Sequence, residues 1–377
     1  MSPPLIVHLV YRFDTGGMEN GMVTLFNHLD PGRFRHAVVS WTEVGDFRAR
    51  IRAQEVGFHA LKRRPGHDPG AYLRLWRLLR RLRPAVLHTR NLAALEGQFA
   101  ARLAGVRATV HGEHGRDVFD LHGQNRKYNL LRRAARPLVG EYVAVSRDLA
   151  DWLKDTVGVA PARIHQIYNG VDCDRFHPRA GARPSGLPPG FADEQSLVIG
   201  AVGRMAAVKD FPTLVEAFLR LAPAYPQARL VIVGEGEARA ACRQRLAQAG
   251  LAQRAWLPGG RQDIAELLRT FDVFALPSLN EGISNTALEA QATALPVIAT
   301  AVGGNRELVT PGENGDLIPV GDVEALAQAL QRYAGDPDRR AREGAAGRAR
   351  VLARHSIAAM VAGYSAVYER ALAGHYH

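Results

Sequence analysis

The chain has 377 residues, 47% hydrophobic and 23% charged, which is longer than a single core usually supports, so two domains are expected. Its two cysteines, Cys173 and Cys242, stand far apart without CxxC or Cys/His spacing, which argues against a disulfide framework and a cysteine zinc site. The formal net charge is +11 and lies wholly in the first half, where residues 1–180 hold 28 Lys and Arg against 17 Asp and Glu; an anionic partner such as phosphate, a lipid headgroup or nucleic acid is expected there.

Residues 1–10 lack a basic n-region, and their apolar run is short and interrupted by proline, unlike a signal peptide. No stretch of ~18 apolar residues follows. The expected location is cytoplasmic, or peripheral on the inner face of the cytoplasmic membrane.

In chain order, residues 5–11 read as a buried strand, followed by the glycine turn Asp14-Thr15-Gly16-Gly17 and an amphipathic helix over 18–29. Strands are then expected at 36–41, 86–89, 108–111, 142–146 and 164–168, with helices around 72–83, 92–104, 124–135 and 147–156. A run rich in Pro and Gly over 177–195 breaks this pattern, which restarts with strands at 197–202, 229–233, 255–257, 273–277 and 296–300. Helices are expected between them at 212–222, 237–249, 262–269 and 285–293. Residues 356–373 read as one long helix. The fold class is therefore α/β, two Rossmann-like doubly wound domains facing across a cleft, with ligands bound beyond the carboxyl ends of the strands. Domain 1 is expected over 1–180 with the helix 356–373 packed back on it, a linker over 181–195, and domain 2 over 196–355.

The chemistry gathers in the second half, just after strands: Gly203-Arg204, Lys209-Asp210, Gly234-Glu235-Gly236, Ser278, Glu281-Gly282 and Glu289. Arg204 and Lys209, five apart beyond a strand end, are suited to hold a diphosphate and stabilise its charge as it leaves, although a solvated basic loop has the same pattern. Ser284 or Asn285 can cap a helix start whose free N–H groups face phosphate. Glu289 then lies just over one turn into that helix, in reach of a ribose diol, and Glu281 in reach of sugar hydroxyls; two surface charges complementing the helix dipole are the plain alternative.

Taken together these residues resemble glycosyltransferase family 4, retaining transferases of the GT-B fold. The resemblance is carried by Gly203-Arg204…Lys209, the Gly-Glu-Gly turn, Ser278 with Glu281-Gly-Ile-Ser-Asn-Thr-Ala-Leu-Glu289, and Pro296-Val-Ile-Ala-Thr-Ala-Val-Gly-Gly304 followed by Glu307. It implies that Arg204 and Lys209 bind the donor diphosphate, Glu289 the ribose and Glu281 the transferred sugar. Gly16-Gly17-Met18-Glu19 looks like the family's first glycine loop, and Val145-Ser146 and Asn169-Gly170-Val171-Asp172 occur where the family has them. His111 resembles the cleft histidine near the reacting centre, with Glu113 and His114 as competitors and a structural role as the alternative. The expected catalytic set is His111, Glu281, Arg204 and Lys209; the donor-binding set adds Gly16, Gly17, Gly203, Gly234, Glu235, Arg261, Gly282, Ile283, Ser284, Asn285 and Glu289. Residues 8–29 and 89–120 look most like the transferases of the PEP-CTERM/exosortase system of exopolysaccharide-making bacteria.

The chain departs from the family where Gly282-Ile283-Ser284-Asn285 replaces the common Phe-Gly after the first glutamate, which leaves the choice of UDP- or GDP-sugar donor open. Gln291-Ala-Thr-Ala-Leu295 also replaces the usual Met-Ala-x-Gly. Asp172-Cys173-Asp174 spells a metal-binding Asp-x-Asp but lies far from the diphosphate residues, and with Arg204 and Lys209 supplying charge no metal or other cofactor is expected. The expected partners are the nucleotide sugar, a lipid-linked glycan acceptor and an anionic membrane surface. Contact with the membrane is assigned to Lys62-Arg63-Arg64 and to Arg74, Arg77 and Arg81 on one helical face. Two rivals remain: a GT-B sugar-nucleotide epimerase, distinguished by whether donor is hydrolysed or transferred, and a nucleic-acid-binding protein, for which no module is recognised and which is not expected.

Overall fold

The computed structural model describes residues 2–14, 16–52, 55–66, 68–116 and 120–374. Thr15 of the first glycine loop and residues 117–119 of the block 89–120 lie outside the described residues. The chain divides into two compact units, residues 1–170 with 357–377, and residues 171–356.

The first unit is built on seven parallel strands, β1 (Leu5–Val10), β2 (Arg35–Ser40), β3 (Val56–Ala60), β4 (Val86–Arg90), β5 (Ala108–Glu113), β6 (Glu141–Ala144) and β7 (Ile164–Gln166). Their order is β3-β2-β1-β4-β5-β6-β7, with the reversal at β1/β4 that characterises a doubly wound sheet. The expectation for 1–180 lacked β3. Its residues Val56-Gly-Phe-His-Ala60 are at most half-buried at the sheet edge, so no continuous apolar run marks them. Helix Ile357–Ala373 packs its Met360, Tyr364, Val367 and Tyr368 against Ile6, Val86, Val110 and Val143 of this sheet, which makes the C-terminal helix part of the first unit.

The second unit repeats the plan with β8 (Leu197–Val202), β9 (Ala228–Val233), β10 (Ala255–Gly259), β11 (Val273–Leu276), β12 (Val297–Thr300) and β13 (Gly315–Ile318), in the order β10-β9-β8-β11-β12-β13. Strand β13 and helices Val323–Ala334 and Pro337–Arg354 were not anticipated from the sequence. Residues 181–195 are no free linker. The Arg183 guanidinium donates to Ser196 O at 2.9 Å and to Asp272 Oδ2 at 3.0 Å, while Arg179 reaches the other Asp272 oxygen at 3.1 Å. These bonds tie the Pro/Gly-rich run to the second unit, so the division falls at Gly170 and not at residue 180.

The core of the first unit is partly polar. Arg90, only 2% exposed, donates to His114 Nε2 at 2.8 Å and to His8 Nδ1 at 3.3 Å. A guanidinium only donates, so both ring nitrogens are acceptors; His8 then donates through Nε2 to His36 Nδ1 at 3.0 Å. His88 meets the Tyr368 hydroxyl at 3.0 Å. Burial, with the Arg90 charge second, drives His8, His88 and His114 well below the ordinary 6.5 and His36 to about 3. Because the folded-state values are depressed, the stability these neutral rings contribute is present above pH 6.5 and is lost as the pH falls from 6.5 toward 3, where only the unfolded chain takes up protons. The expected slope approaches about 1.4 kcal/mol per pH unit for each histidine. Thermal melts at pH 7.5, 6.5 and 5.5 check this, and a flat melting temperature across that series refutes it.

Candidate active site

On the second unit, the loops beyond the carboxyl ends of β8, β9, β11 and β12 form one connected group. Gly203 follows β8 and donates to Val233 O at 2.9 Å, and Met205 donates to Glu235 O at 2.7 Å, pinning the Gly203-Arg204 turn to the Gly234-Glu235-Gly236 turn. Gly234 has φ +149°, and a Cβ there would lie 1.9 Å from Gly203 O, so only glycine permits this approach. A Cβ on Gly203 itself would meet Phe211 and Lys209 at ordinary contact distance.

Lys209 closes the one-turn helix Ala207–Lys209, and Leu279 donates to Val208 O at 2.8 Å, joining that turn to the loop after β11. The Lys209 ammonium thereby stands 2.5 Å from Glu281 Oε1. The buried Ser278 hydroxyl donates to the same oxygen at 2.6 Å, and Thr300 Oγ1 donates to Ser278 O, anchoring that loop to the end of β12. Gly304 donates to Glu281 O at 3.2 Å, while Gly303 adopts φ +42°, where a Cβ would come within 2.0 Å of Glu281 O. The Glu281 backbone is thus clasped by the two glycines that end the family-like stretch 296–304. The arrangement is a partly exposed carboxylate–ammonium pair, 10% and 21% exposed, whose lysine is positioned to meet an anion from solvent.

Helix Asn285–Ala292 begins beside this pair in sequence. Ser284, 2% exposed, caps it by accepting from Ala287 N at 3.3 Å, and the remaining first-turn N–H groups gain no bond within the helix. Ile283 is buried in the core, so only its backbone can face a ligand. Asn285 and Glu289 are half-buried and Gly282 is buried. Arg204 is exposed. Glu235 holds Arg239 at 3.4 Å and accepts from Gly260 N at 3.2 Å. Arg261 is bound by both oxygens of Asp263 at 2.8 and 2.6 Å, so it belongs to a local ion pair at the end of β10. Asp172 Oδ1 accepts from the backbone of Asp174 and Arg175 at 3.1 and 2.9 Å, an Asx turn that occupies the first carboxylate of the Asp-x-Asp.

The remaining expected residues lie on the first unit. Gly16 precedes helix Gly17–His28 in an extended conformation, and its carbonyl accepts from Asn20 N at 2.9 Å. His111 is 1% exposed near the end of β5. Gln98 Nε2 donates to Thr89 Oγ1 at 2.7 Å, and that hydroxyl lies 2.8 Å from His111 Nδ1. Thr89 Oγ1 also lies 3.5 Å from Val110 O; the shorter contact, 2.8 Å to His111 Nδ1, directs the Thr89 proton to Nδ1 and leaves His111 to donate through Nε2 to Glu113 Oε1 at 3.3 Å. Arg132 Nε reaches the same Glu113 oxygen at 2.8 Å. Burial pushes the Glu113 carboxyl up, but Arg132 and His111 outweigh it and hold it at about 2. Thr89, Gln98 and Arg132 were not singled out from the sequence, where nothing local distinguishes them.

Comparison with known proteins follows the same division. A family model described as Glycosyltransferase Family 4 matches residues 15–175, and one described as Glycosyl transferases group 1 matches 196–336. The UDP-Gal:alpha-D-GlcNAc-diphosphoundecaprenol alpha-1,3-galactosyltransferase of Escherichia coli is 31% identical over 278 residues, 71% of each chain. A GDP-mannose-dependent monoacylated alpha-(1-6)-phosphatidylinositol monomannoside mannosyltransferase of Corynebacterium glutamicum is 32% identical over 282 residues, 70% of each. Among solved structures, sucrose-phosphate synthase from Thermosynechococcus elongatus superposes with a TM-score of 0.81 at 21% identity, over 98% of this chain and 100% of that one. Anabaena HepE in complex with UDP and glucose gives 0.81 at 20% identity, over 97% and 99%.

Proposed function

The chain belongs to glycosyltransferase family 4, and from that premise we propose that it moves a sugar, with retention of configuration, from a UDP- or GDP-sugar onto a lipid-linked glycan acceptor. The observation that carries this reading is the Lys209–Glu281–Ser278 group beside the helix start at Ser284. Lys209 and the exposed Arg204 meet the donor diphosphate together with the first turn of that helix, Glu289 holds the ribose, and Glu281 the transferred sugar. The family resemblance assigns His111, buried on the first unit, to the sugar. Charge on the departing phosphate is then countered by protein cations, so no metal is required.

The acceptor assignment is supported by the relatives from Escherichia coli and Corynebacterium glutamicum, whose names specify a diphosphoundecaprenol and a phosphatidylinositol substrate. The likeness of residues 8–29 and 89–120 to PEP-CTERM-associated transferases supports a role in exopolysaccharide assembly. Among the described residues no helix is long and apolar enough to cross a membrane. The proposed contact with an anionic membrane from the cytoplasm runs through helix Pro69–Leu82, where Arg77, Arg80 and Arg81 are exposed and Leu73 is 45% exposed. Arg74 does not join them, because it is held by Asp68 Oδ2 at 2.8 Å and Leu61 O at 2.8 Å.

Thermal shift against a panel of UDP- and GDP-sugars identifies the donor, and NMR of the transferred anomeric proton tests retention. Activity is expected to survive saturating EDTA. An inverted product overturns the retaining assignment. Activity lost on chelation, restored by Mg²⁺ and abolished by Asp172→Asn, overturns metal independence. Free sugar-nucleotide epimer without hydrolysis or transfer favours the epimerase.

A further inference from the structure

An open cavity of about 660 Å³ on the first unit takes no part in the site described above. It lies beyond the carboxyl ends of β2 and β3, the side of a doubly wound sheet where ligands bind. Its volume is within the ~300–1,000 Å³ of small-molecule sites. Arg48, Lys62, Arg63 and Arg64 line it, against the single carboxylate of Glu43, with Phe58 among the apolar residues between them.

The charge balance favours an anion more strongly than this ratio suggests. Glu43 is already engaged by Arg12 at 2.8 Å. Arg48, Lys62 and Arg64 are exposed, and no carboxylate pairs with their side chains among the described residues. Arg63 is held in place, its guanidinium carbon 5.4 Å from the ring centroids of both Trp41 and Tyr72, with Glu96 no closer than 3.9 Å. Backbone bonds from Lys62 N to Thr42 O at 3.2 Å and from Arg63 N to Trp41 O at 2.7 Å extend the β2/β3 connection past the strands. At that point Lys62 takes φ +51°, a left-handed conformation uncommon for a residue with a side chain. Nothing in the packing of a surface turn requires a lysine there, whereas a cation beside three arginines serves an anionic ligand.

We propose that this cavity binds a phosphate-bearing group of the acceptor. The proposal rests on the transferase reading, in which the residues for the donor's diphosphate lie on the second unit and those of this cavity on the first. Arginine matches phosphate through paired N–H groups and lysine through its compact charge, so the ligand is a phosphate mono- or diester, with apolar substituents able to lie against Phe58. A soluble phosphorylated glycan and a headgroup in a bilayer share this chemistry.

The chain has four lysines, Lys62, Lys127, Lys154 and Lys209, so reductive methylation followed by mass spectrometry reads each position separately. Saturating UDP is expected to protect Lys209, which reports on the donor reading alone. With UDP present, inorganic pyrophosphate at about five times its dissociation constant is expected to slow methylation of Lys62 about sixfold while Lys127 and Lys154 keep their rates. Phosphatidylglycerol vesicles form the second arm. Protection by pyrophosphate assigns a soluble phosphoryl group, and protection by vesicles alone assigns a bilayer headgroup. An unchanged Lys62 in both arms overturns the proposal, whether or not UDP protects Lys209. The double variant Arg48→Glu/Arg64→Glu is expected to lose Lys62 protection while UDP still protects Lys209; retained Lys62 protection in that variant also overturns it.

Discussion

Replacing Lys209 with alanine is expected to lower kcat/KM by more than tenfold, at least about 1.4 kcal/mol of transition-state stabilisation, with an unchanged far-ultraviolet spectrum. Its side chain is 21% exposed and lies outside the apolar core of the second unit, so a folded variant is expected. Under the proposed function, what is lost is a cation for the departing diphosphate, together with the partner that Glu281 has at 2.5 Å. In Lys209→Ala the Glu281 carboxylate keeps, among the described residues, the Ser278 hydroxyl as donor to Oε1, and its uncompensated charge repels an incoming phosphate. Lys209→Ala and Glu281→Ala are therefore expected to be non-additive, the double variant losing less than the product of the single losses. Glu281→Ala should depress kcat more than UDP or GDP affinity, because the ligand proposed for it is the sugar. Glu289→Ala should match the tenfold loss of Lys209→Ala. Steady-state kinetics with the identified donor decide the matter; near-normal turnover in both Lys209→Ala and Glu289→Ala removes the site assignment.

Arg132→Met is expected to destabilise the first unit by about 3–5 kcal/mol at pH 7, the usual cost of stranding a buried charge. Glu113 is 1% exposed and Arg132 4%, so neither can turn to water once the pair is broken. With its folded-state value near 2 against an ordinary 4.5, Glu113 contributes stability that is present above pH 4.5 and lost as the pH falls through about 2. That displacement corresponds to about 3 kcal/mol, in line with the mutational expectation. Glu113→Gln on the Arg132→Met background should accordingly restore part of the loss at pH 7. Urea unfolding of the three proteins at pH 7, above the range in which the buried histidines lower stability, measures the loss and its rescue. Equal stability of wild type and Arg132→Met at pH 7 means that the buried pair does not hold this core.

Both predictions turn on contacts between residues whose individual presence in the sequence is unremarkable. The donor-side residues were legible because they follow apolar strands such as Leu197–Val202 and Val273–Leu276, whose continuous burial makes them visible as runs of one residue type. Glycine turns and a capped helix follow each strand in order, so Gly234, Glu281 and Ser284 could be assigned to one sheet edge before any coordinates. The edge strand Val56–Ala60 and the short Gly315–Ile318 escaped because half-burial and a length of four residues leave no periodicity to detect. The linker expectation failed for a different reason. Pro and Gly report backbone breaks but say nothing of Arg183, whose guanidinium binds the run to Asp272 across 89 positions.

From residue order and type alone came the α/β alternation, the two-domain plan, the family and the residues beyond each strand of the second unit. The pairing of Lys209 with Glu281, 72 positions apart, came from the sheet order, which sets β8 beside β11 and so brings the loops after them together. The same holds for Arg90 among His8, His88 and His114, and for Tyr368, which reaches His88 from a helix 280 positions away. Local patterning records which side of a strand or helix turns inward, because burial acts on each residue separately. It carries no record of which strands become neighbours, since that depends on how helices and strands from distant segments fill one core, and there the charges of Arg90, Glu113 and Glu281 meet the groups that set their roles.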